Sequence, residues 1–157
     1  MSIAGPAQGA AEVLRIQLAG KLPVDLAKEN ENILASLEHG KTVDQVPAAL
    51  TALYRPSIQP YLISWFKYVP ATELAKLDMP VLIVQGTTDI QVAVAQAESL
   101  KHAKPAAQLA IIDGMNHVFK TVPLDPPKQI ASYSDPELPL APSLATKLVS
   151  FLKSALK

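Results

Sequence analysis

Two residues of this chain have the types and positions to do chemistry together, Asp89 and His117. Asp89 follows the apolar run 80–85 by four residues, and His117 follows a second run, 108–112, by five. Such runs are typical of parallel strands buried on both faces. Ligands of open parallel sheets bind outside the carboxyl ends of the strands, and neighbouring strands lie about 4.8 Å apart. The two loops can therefore bring a carboxylate to an imidazole, which is the supporting half of a nucleophile–His–Asp system.

Each of these residues also has a purely structural interpretation. Aspartate is a preferred N-cap, so Asp89 could cap the helix predicted from about residue 92. His117 could be an ordinary histidine of a surface loop, and we expect His39 and His102 to be solvent-exposed on helices. The spacing alone leaves both interpretations open.

The elements that must position the pair form a βαβ unit. Residues 92–103 carry apolar side chains at helical spacing between the two strand-like runs. A strand, helix and strand in this order make a parallel pair with a crossover that is almost always right-handed. Residues 2–8 are typical of the end of a strand that enters a turn, and 144–155 of an amphipathic terminal helix. The sequence thus predicts an α/β fold with two to three parallel strands.

We expect residues 1–157 to form a single domain with three parts. Residues 1–8 form the end of a strand and a turn, 9–77 a segment of short helices that resembles a cap, and 78–157 the βαβ core with its C-terminal helix. Within the core, 121–142 contains six prolines and few periodic apolar positions, which predicts a long loop. Loops of that length are uncommon and often functional.

These motifs resemble the C-terminal half of an α/β-hydrolase. The resemblance is carried by Pro80-Val-Leu-Ile-Val-Gln-Gly-Thr-Thr-Asp89 and, further on, Gly114-Met-Asn-His117. In that family the chain order is Ser, then Asp or Glu, then His. The resemblance implies that Asp89 is the triad acid and His117 the triad base, and that the bonds cleaved are carboxylic esters or thioesters.

The remaining sequence extends this resemblance. Ser2-Ile-Ala-Gly-Pro6 resembles the exit of the family's sixth strand, and 9–76 its helical cap. The segment 55–65 is similar to caps of bacterial lysophospholipase-like or esterase-like members. An acyl pocket lined by Tyr61, Trp65 and Phe66 follows from this interpretation, although aromatic residues at helical spacing more often pack in a core.

The sequence departs from the family at the nucleophile. None of the ten serines has glycine both two residues before and two residues after it, so the G-x-S-x-G elbow is absent. We therefore expect a partial α/β-hydrolase fold that is inactive alone. The alternative is a non-catalytic α/β module that acts through oligomerisation or binding. In either case the unpaired edge of a small parallel sheet predicts a homo-oligomer or a complex with the missing N-terminal half.

Composition excludes several other classes. Fourteen Lys and Arg balance fourteen Asp and Glu, which argues against nucleic-acid binding, and the absence of Cys excludes sulfur-based metal sites and disulfides. No His and carboxylate set has metal-ligand spacing. We expect no cofactor, since a relaxed nucleotide-binding pattern at 35–42 continues a helical period instead of following a strand. No membrane span or signal peptide is visible, which indicates the cytoplasm if the sequence is complete and otherwise leaves the compartment unknown.

Overall fold

The computed structural model describes residues 1–155. Its strands and helices are, in chain order, β1 (Ser2–Ile3), α1 (Ala10–Leu18), α2 (Val24–Glu38), α3 (Thr51–Tyr54), α4 (Gln59–Phe66), α5 (Pro70–Ala75), β2 (Leu82–Gly86), α6 (Val94–Ala103), β3 (Gln108–Ile112), α7 (Pro126–Ser132) and α8 (Pro142–Ala155). Single 3₁₀ turns at Ala48–Leu50 and Pro56–Ile58 precede α3 and α4. Two compact units result: residues 8–73 form a helical unit, and residues 1–7 with those from 74 onward form a sheet unit.

The sheet unit contains three parallel strands in the order β1-β2-β3. The register pairs Ile83 of β2 with Ser2 on one side and with Leu109 on the other. Every residue of the central strand β2 is buried, whereas the edge strand β3 leaves Ile111 39% exposed. The prediction of an α/β fold with parallel strands and a C-terminal helix is confirmed, with β3 less buried than its apolar sequence indicates.

The pleat of β2 sends alternate side chains to opposite faces of the sheet. Leu82 and Val84 belong to a buried cluster with side chains of β3 and α8, namely Ala110, Ile112, Leu144 and Phe151. Full burial of one such aliphatic side chain stabilises the fold by about 1.5–3 kcal/mol. Ile83 and Gln85 point to the other face, and helix α6 contacts both β2 and β3. Gln85 is thus an amide in a strand that is otherwise apolar up to its final glycine.

A helix lies inside the segment that the sequence predicts to be a loop. Helix α7 begins with Pro126 and Pro127, and the Asp125 side chain before it accepts a hydrogen bond from the backbone N–H of Lys128. Proline is tolerated in the first turn because the backbone N–H groups there have no partner within the helix. Pro126 and Pro127, which suggest a loop, therefore form the first turn of a helix, because Asp125 caps it.

The helical unit has its own core and a surface ion-pair network. The core residues are Ala11, Ile33, Leu34, Leu37, Leu50, Tyr54 and Leu62. Arg15 of α1 binds the carboxylates of Glu31 and Glu38 of α2 at 2.8 and 2.6 Å. Tyr54 donates a hydrogen bond to the Asn30 side chain, and burial raises the pKa of Tyr54 to about 12. The ion pairs thus join α1 to α2, and the bond from Tyr54 joins α3 to α2.

Candidate active site

The structure brings Asp89 and His117 into direct contact. Asp89 Oδ2 lies 2.9 Å from His117 Nδ1. The Asp89 side chain has no exposed surface, while the His117 side chain is 29% exposed. A buried carboxylate beside a partly exposed imidazole suits a base, since the carboxylate orients the ring and the other side of the ring remains accessible.

Asp89 has further hydrogen bonds that fix its orientation. Its Oδ1 accepts from the backbone N–H groups of Gln91 and Val92 at 2.8 and 2.9 Å. Its Oδ2 accepts from the Gln85 side-chain amide at 2.9 Å, in addition to facing His117. An ionised carboxylate has about four acceptor positions and no donor, so this set fills it. An ionised Asp89 is matched by the His117 tautomer with hydrogen on Nδ1, which leaves Nε2 as the acceptor.

The prediction that Asp89 caps the following helix is wrong. Helix α6 begins at Val94 and its N-cap is Ala93, so Asp89 does not cap it. The bonds from Asp89 to the next backbone N–H groups instead close the turn before that helix, as aspartate does in Asx turns. One oxygen closes the turn and the other faces His117, so Asp89 has a structural contact in its loop as well as the contact with the imidazole.

The loop that carries Asp89 is bonded directly to the loop that carries His117. Thr88 donates its backbone N–H to Met115 O at 3.2 Å and its hydroxyl to Gly114 O at 2.8 Å. The hydroxyl of Thr87 accepts from the Gly114 N–H at 2.8 Å. At Gly86 a Cβ atom would lie 1.9 Å from Met115 O, so only glycine fits between these loops. The close approach of the two loops sets the distance between the acid and the imidazole.

His117 lies in a tight turn of its own. The turn is closed by a hydrogen bond from the Phe119 N–H to Asn116 O at 3.0 Å, and Phe119 adopts a positive φ of 66°. Asn116 is fully buried; its side chain accepts from the Lys120 N–H and donates to the Ser132 hydroxyl of α7. The ammonium group of Lys120 contacts the carbonyl oxygens of Ser132 and Asp135 at the end of α7. Helix α7 thereby braces the loop of His117.

Gln85 is a site residue that the sequence analysis missed. It is fully buried, and its amide nitrogen donates to Val92 O at 2.8 Å as well as to Asp89. Its amide oxygen has no hydrogen-bond partner among the described residues. A buried unsatisfied polar atom costs about 1–3 kcal/mol. The available signal was the amide itself, a polar residue at the end of the apolar run 80–84.

The predicted pocket residues lie in the helical unit. Tyr61 and Trp65 of α4 are 59% and 48% exposed, and their ring centroids lie 5.7 Å apart. Phe66 is partly buried against the core of that unit. Of the three aromatic residues, one thus packs against the core and two have exposed rings. Their part in binding an acyl group stays a prediction.

Other predicted features concern metals and membranes. Among residues 1–155, no group of three or more His, Asp or Glu side chains is arranged to hold a metal ion. Within the same residues, none of the helices has the length and apolar character needed to cross a bilayer. His102 lies exposed in the last turn of α6, and His39 lies exposed at the end of α2.

Comparison with known proteins gives a weak structural likeness to an esterase. No protein-family model matches the chain, and no curated protein matches it. The crystal structure of an esterase, RhEst1 from Rhodococcus sp. ECU1013, is similar over 80% of this chain, with 24% sequence identity and a TM-score of 0.30. The chain spans less than half of that esterase, 46% of its length. At this TM-score the likeness carries no argument about fold or activity, so the chemistry of the site follows from its own geometry.

Proposed function

We propose that this chain carries the acid and the base of a serine hydrolase that cleaves carboxylic ester or thioester bonds. The observation that supports the proposal is the 2.9 Å contact between Asp89 Oδ2 and His117 Nδ1, with the carboxylate buried and the imidazole partly exposed. The order of the two residues along the chain is also that of α/β-hydrolases. In this proposal the chain corresponds to the C-terminal part of such an enzyme.

The two residues have distinct roles in the proposed reaction. His117 Nε2 accepts the proton of a nucleophilic hydroxyl as that oxygen attacks the acyl carbon, and then delivers it to the departing alcohol or thiol. Asp89 keeps the ring in the tautomer that leaves Nε2 free and stabilises the imidazolium that forms. Water, deprotonated by the same His117, then releases the acid and regenerates the hydroxyl.

The nucleophile is proposed to come from outside this sequence. No serine here lies in a G-x-S-x-G elbow, the strained turn that exposes the hydroxyl and supplies part of the oxyanion hole. Without a nucleophile and its oxyanion donors, the remaining pair is expected to give very weak catalysis. The proposed partner is a polypeptide that carries the elbow.

The proposal is tested on the chain alone with two reagents. A fluorophosphonate probe followed by intact-mass analysis detects an activated serine, and hydrolysis of 4-nitrophenyl acetate detects a reactive imidazole. We expect no fluorophosphonate adduct, and slow ester hydrolysis that falls to the solvent background in His117→Ala. The matched control is His102→Ala, because His102 is exposed and has no place in the site.

Either of two results would contradict the proposal. Equal ester hydrolysis by His117→Ala and His102→Ala removes the base role of His117. A fluorophosphonate adduct that disappears in His117→Ala shows instead that a serine of this chain is the nucleophile, and then no partner is needed.

A second candidate is a non-catalytic module that acts through association. The open edges of the sheet favour it: β1 and β3 are its outer strands, and each has one side without a strand partner among residues 1–155. Such edges present unpaired backbone groups that pair readily with another chain. Size-exclusion chromatography with light scattering tests the association that both candidates share, a homo-oligomer or a complex with the missing half. Both candidate functions are contradicted if the chain is a monomer at all concentrations and also shows no ester hydrolysis that depends on His117.

A further inference from the structure

We propose that Gln85 is a positioning residue that selects the working orientation and tautomer of the Asp89–His117 pair. This inference rests on the proposed function and names a component of the same site. The amide nitrogen of Gln85 donates to Asp89 Oδ2, the same carboxylate oxygen that His117 contacts, and not to His117 itself. It therefore acts through Asp89.

The first step of the argument is the number of acceptor positions on Asp89. Two are filled by the backbone N–H groups of Gln91 and Val92 on Oδ1, and a third by the Gln85 amide on Oδ2. A carboxylate offers about four such positions. One remains, and it lies toward His117 Nδ1 at 2.9 Å. All positions of an ionised carboxylate only accept, so the Nδ1–H tautomer is selected only while Oδ2 is held toward the ring, and the bond from Gln85 holds it there.

The second step is that the Gln85 amide is itself held. Its nitrogen also donates to Val92 O at 2.8 Å, so one NH₂ group bridges the carboxylate and the backbone of the following turn. The two hydrogens of an amide nitrogen point in fixed directions, about 120° apart, so this bridge determines where Oδ2 lies. Since Gln85 lies in the central strand β2 and pairs with Ile111 of β3, the bond from its amide anchors the carboxylate to the sheet.

The third step is that packing gives no reason for an amide at this position. Gln85 is fully buried in a strand whose other side chains, Leu82, Ile83 and Val84, are aliphatic and buried. The amide oxygen has no partner among the described residues. An aliphatic side chain would bury apolar surface without that penalty. Features that work against stability are expected at functional sites, and the functional contact made here is the one to Asp89.

The test is the tautomer and the solvent exchange of His117 in the ¹⁵N-labelled full chain, which requires no catalytic activity. Two-bond ¹H–¹⁵N spectra distinguish hydrogen on Nδ1 from hydrogen on Nε2, and a low-field proton resonance reports the Nδ1–H bond to Asp89. We expect the native chain to show the Nδ1–H tautomer. In Gln85→Met, which keeps volume and removes the donor, we expect a mixture of tautomers and about tenfold faster exchange of the Nδ1 hydrogen.

The matched control is Gln59→Met in the helical unit. Gln59 is also fully buried, and its amide donates to the carbonyls of Val43 and Tyr54 and has no contact with the site. A general structural effect of losing a buried amide would change the His117 spectra in both variants. The positioning role predicts a change in Gln85→Met alone.

The outcomes separate this inference from the proposed function. An unchanged Nδ1–H tautomer and exchange rate in Gln85→Met overturns the role of Gln85 and leaves the Asp89–His117 pair standing. A native chain without the Nδ1–H tautomer overturns both. If Gln85→Met does not fold, Gln85→Leu is measured in the same spectra: its side chain is apolar and has no hydrogen to donate, so the same loss is expected.

Discussion

The substitution Gly86→Ala tests whether the close approach of the two loops holds the site together. An added Cβ would lie 1.9 Å from Met115 O and 2.5 Å from Met115 C. Ordinary contact begins at 3.4 Å, so the strand and the loop must separate by more than an ångström. The obstacle is backbone, and that same carbonyl accepts the Thr88 N–H, so no side chain can turn away to make room. Overpacking of a well-packed site costs about 1–3 kcal/mol, and we expect the upper end, about 3 kcal/mol.

This value corresponds to about a hundredfold in the unfolding equilibrium constant. It is measured by urea unfolding followed by circular dichroism, with Gly5→Ala as the control. At Gly5 a Cβ meets only the Ser2 hydroxyl at 2.7 Å, a side-chain atom that can rotate away. We expect that control to lie within about 0.5–1 kcal/mol of the native chain. Equal urea midpoints for the two variants would refute the reasoning.

Three further predictions concern the site, its brace and the helical unit. Asp89→Asn removes the charge and places an amide beside His117. We expect this variant to lose most of the His117-dependent hydrolysis of 4-nitrophenyl acetate. Full activity would exclude an orienting role for Asp89. Lys120→Met removes the ammonium group that donates to the Ser132 carbonyl at the end of α7. We expect the free energy of unfolding to fall by about 1–2 kcal/mol and backbone amide exchange in 126–132 to become faster. Unchanged exchange would show that other contacts hold α7. Arg15 lowers the pKa of Glu31 from its ordinary 4.5, so the folded state gains stability above that pH and loses it as pH falls. Because Glu31 is half exposed, we expect the gain to be below about 1 kcal/mol and to vanish in Glu31→Gln; an identical pH dependence of the urea midpoint in both chains contradicts this.

The contact between Asp89 and His117 could be predicted from the sequence because the patterns that indicate it are local. An apolar run followed by a turn predicts a buried strand and its carboxyl end, and parallel strands place those ends at one edge of the sheet. Asp89 and His117 could therefore be selected together, and the structure places them 2.9 Å apart. The α/β fold with a terminal helix followed from the same periodicity and is confirmed. Helix α7 did not, because Pro126 and Pro127 read as helix breakers until the cap at Asp125 is known.

What only the tertiary structure decided is which groups surround the pair. The sequence shows Gln85 only as a polar residue at the end of an apolar strand; its proposed role depends on the contacts of its amide with Asp89 and Val92 in space. The same holds for the contact between Asn116 and Ser132 and for the space available at Gly86. Sequence patterns report the direction in which a side chain leaves the backbone, with periods of 2 and 3.6 residues, and carry no record of the neighbour it meets. The sequence by itself thus determined the fold class and brought Asp89 and His117 to one edge of the sheet, while the distance between them and the contacts that support them follow from loop contacts between residues far apart in the chain.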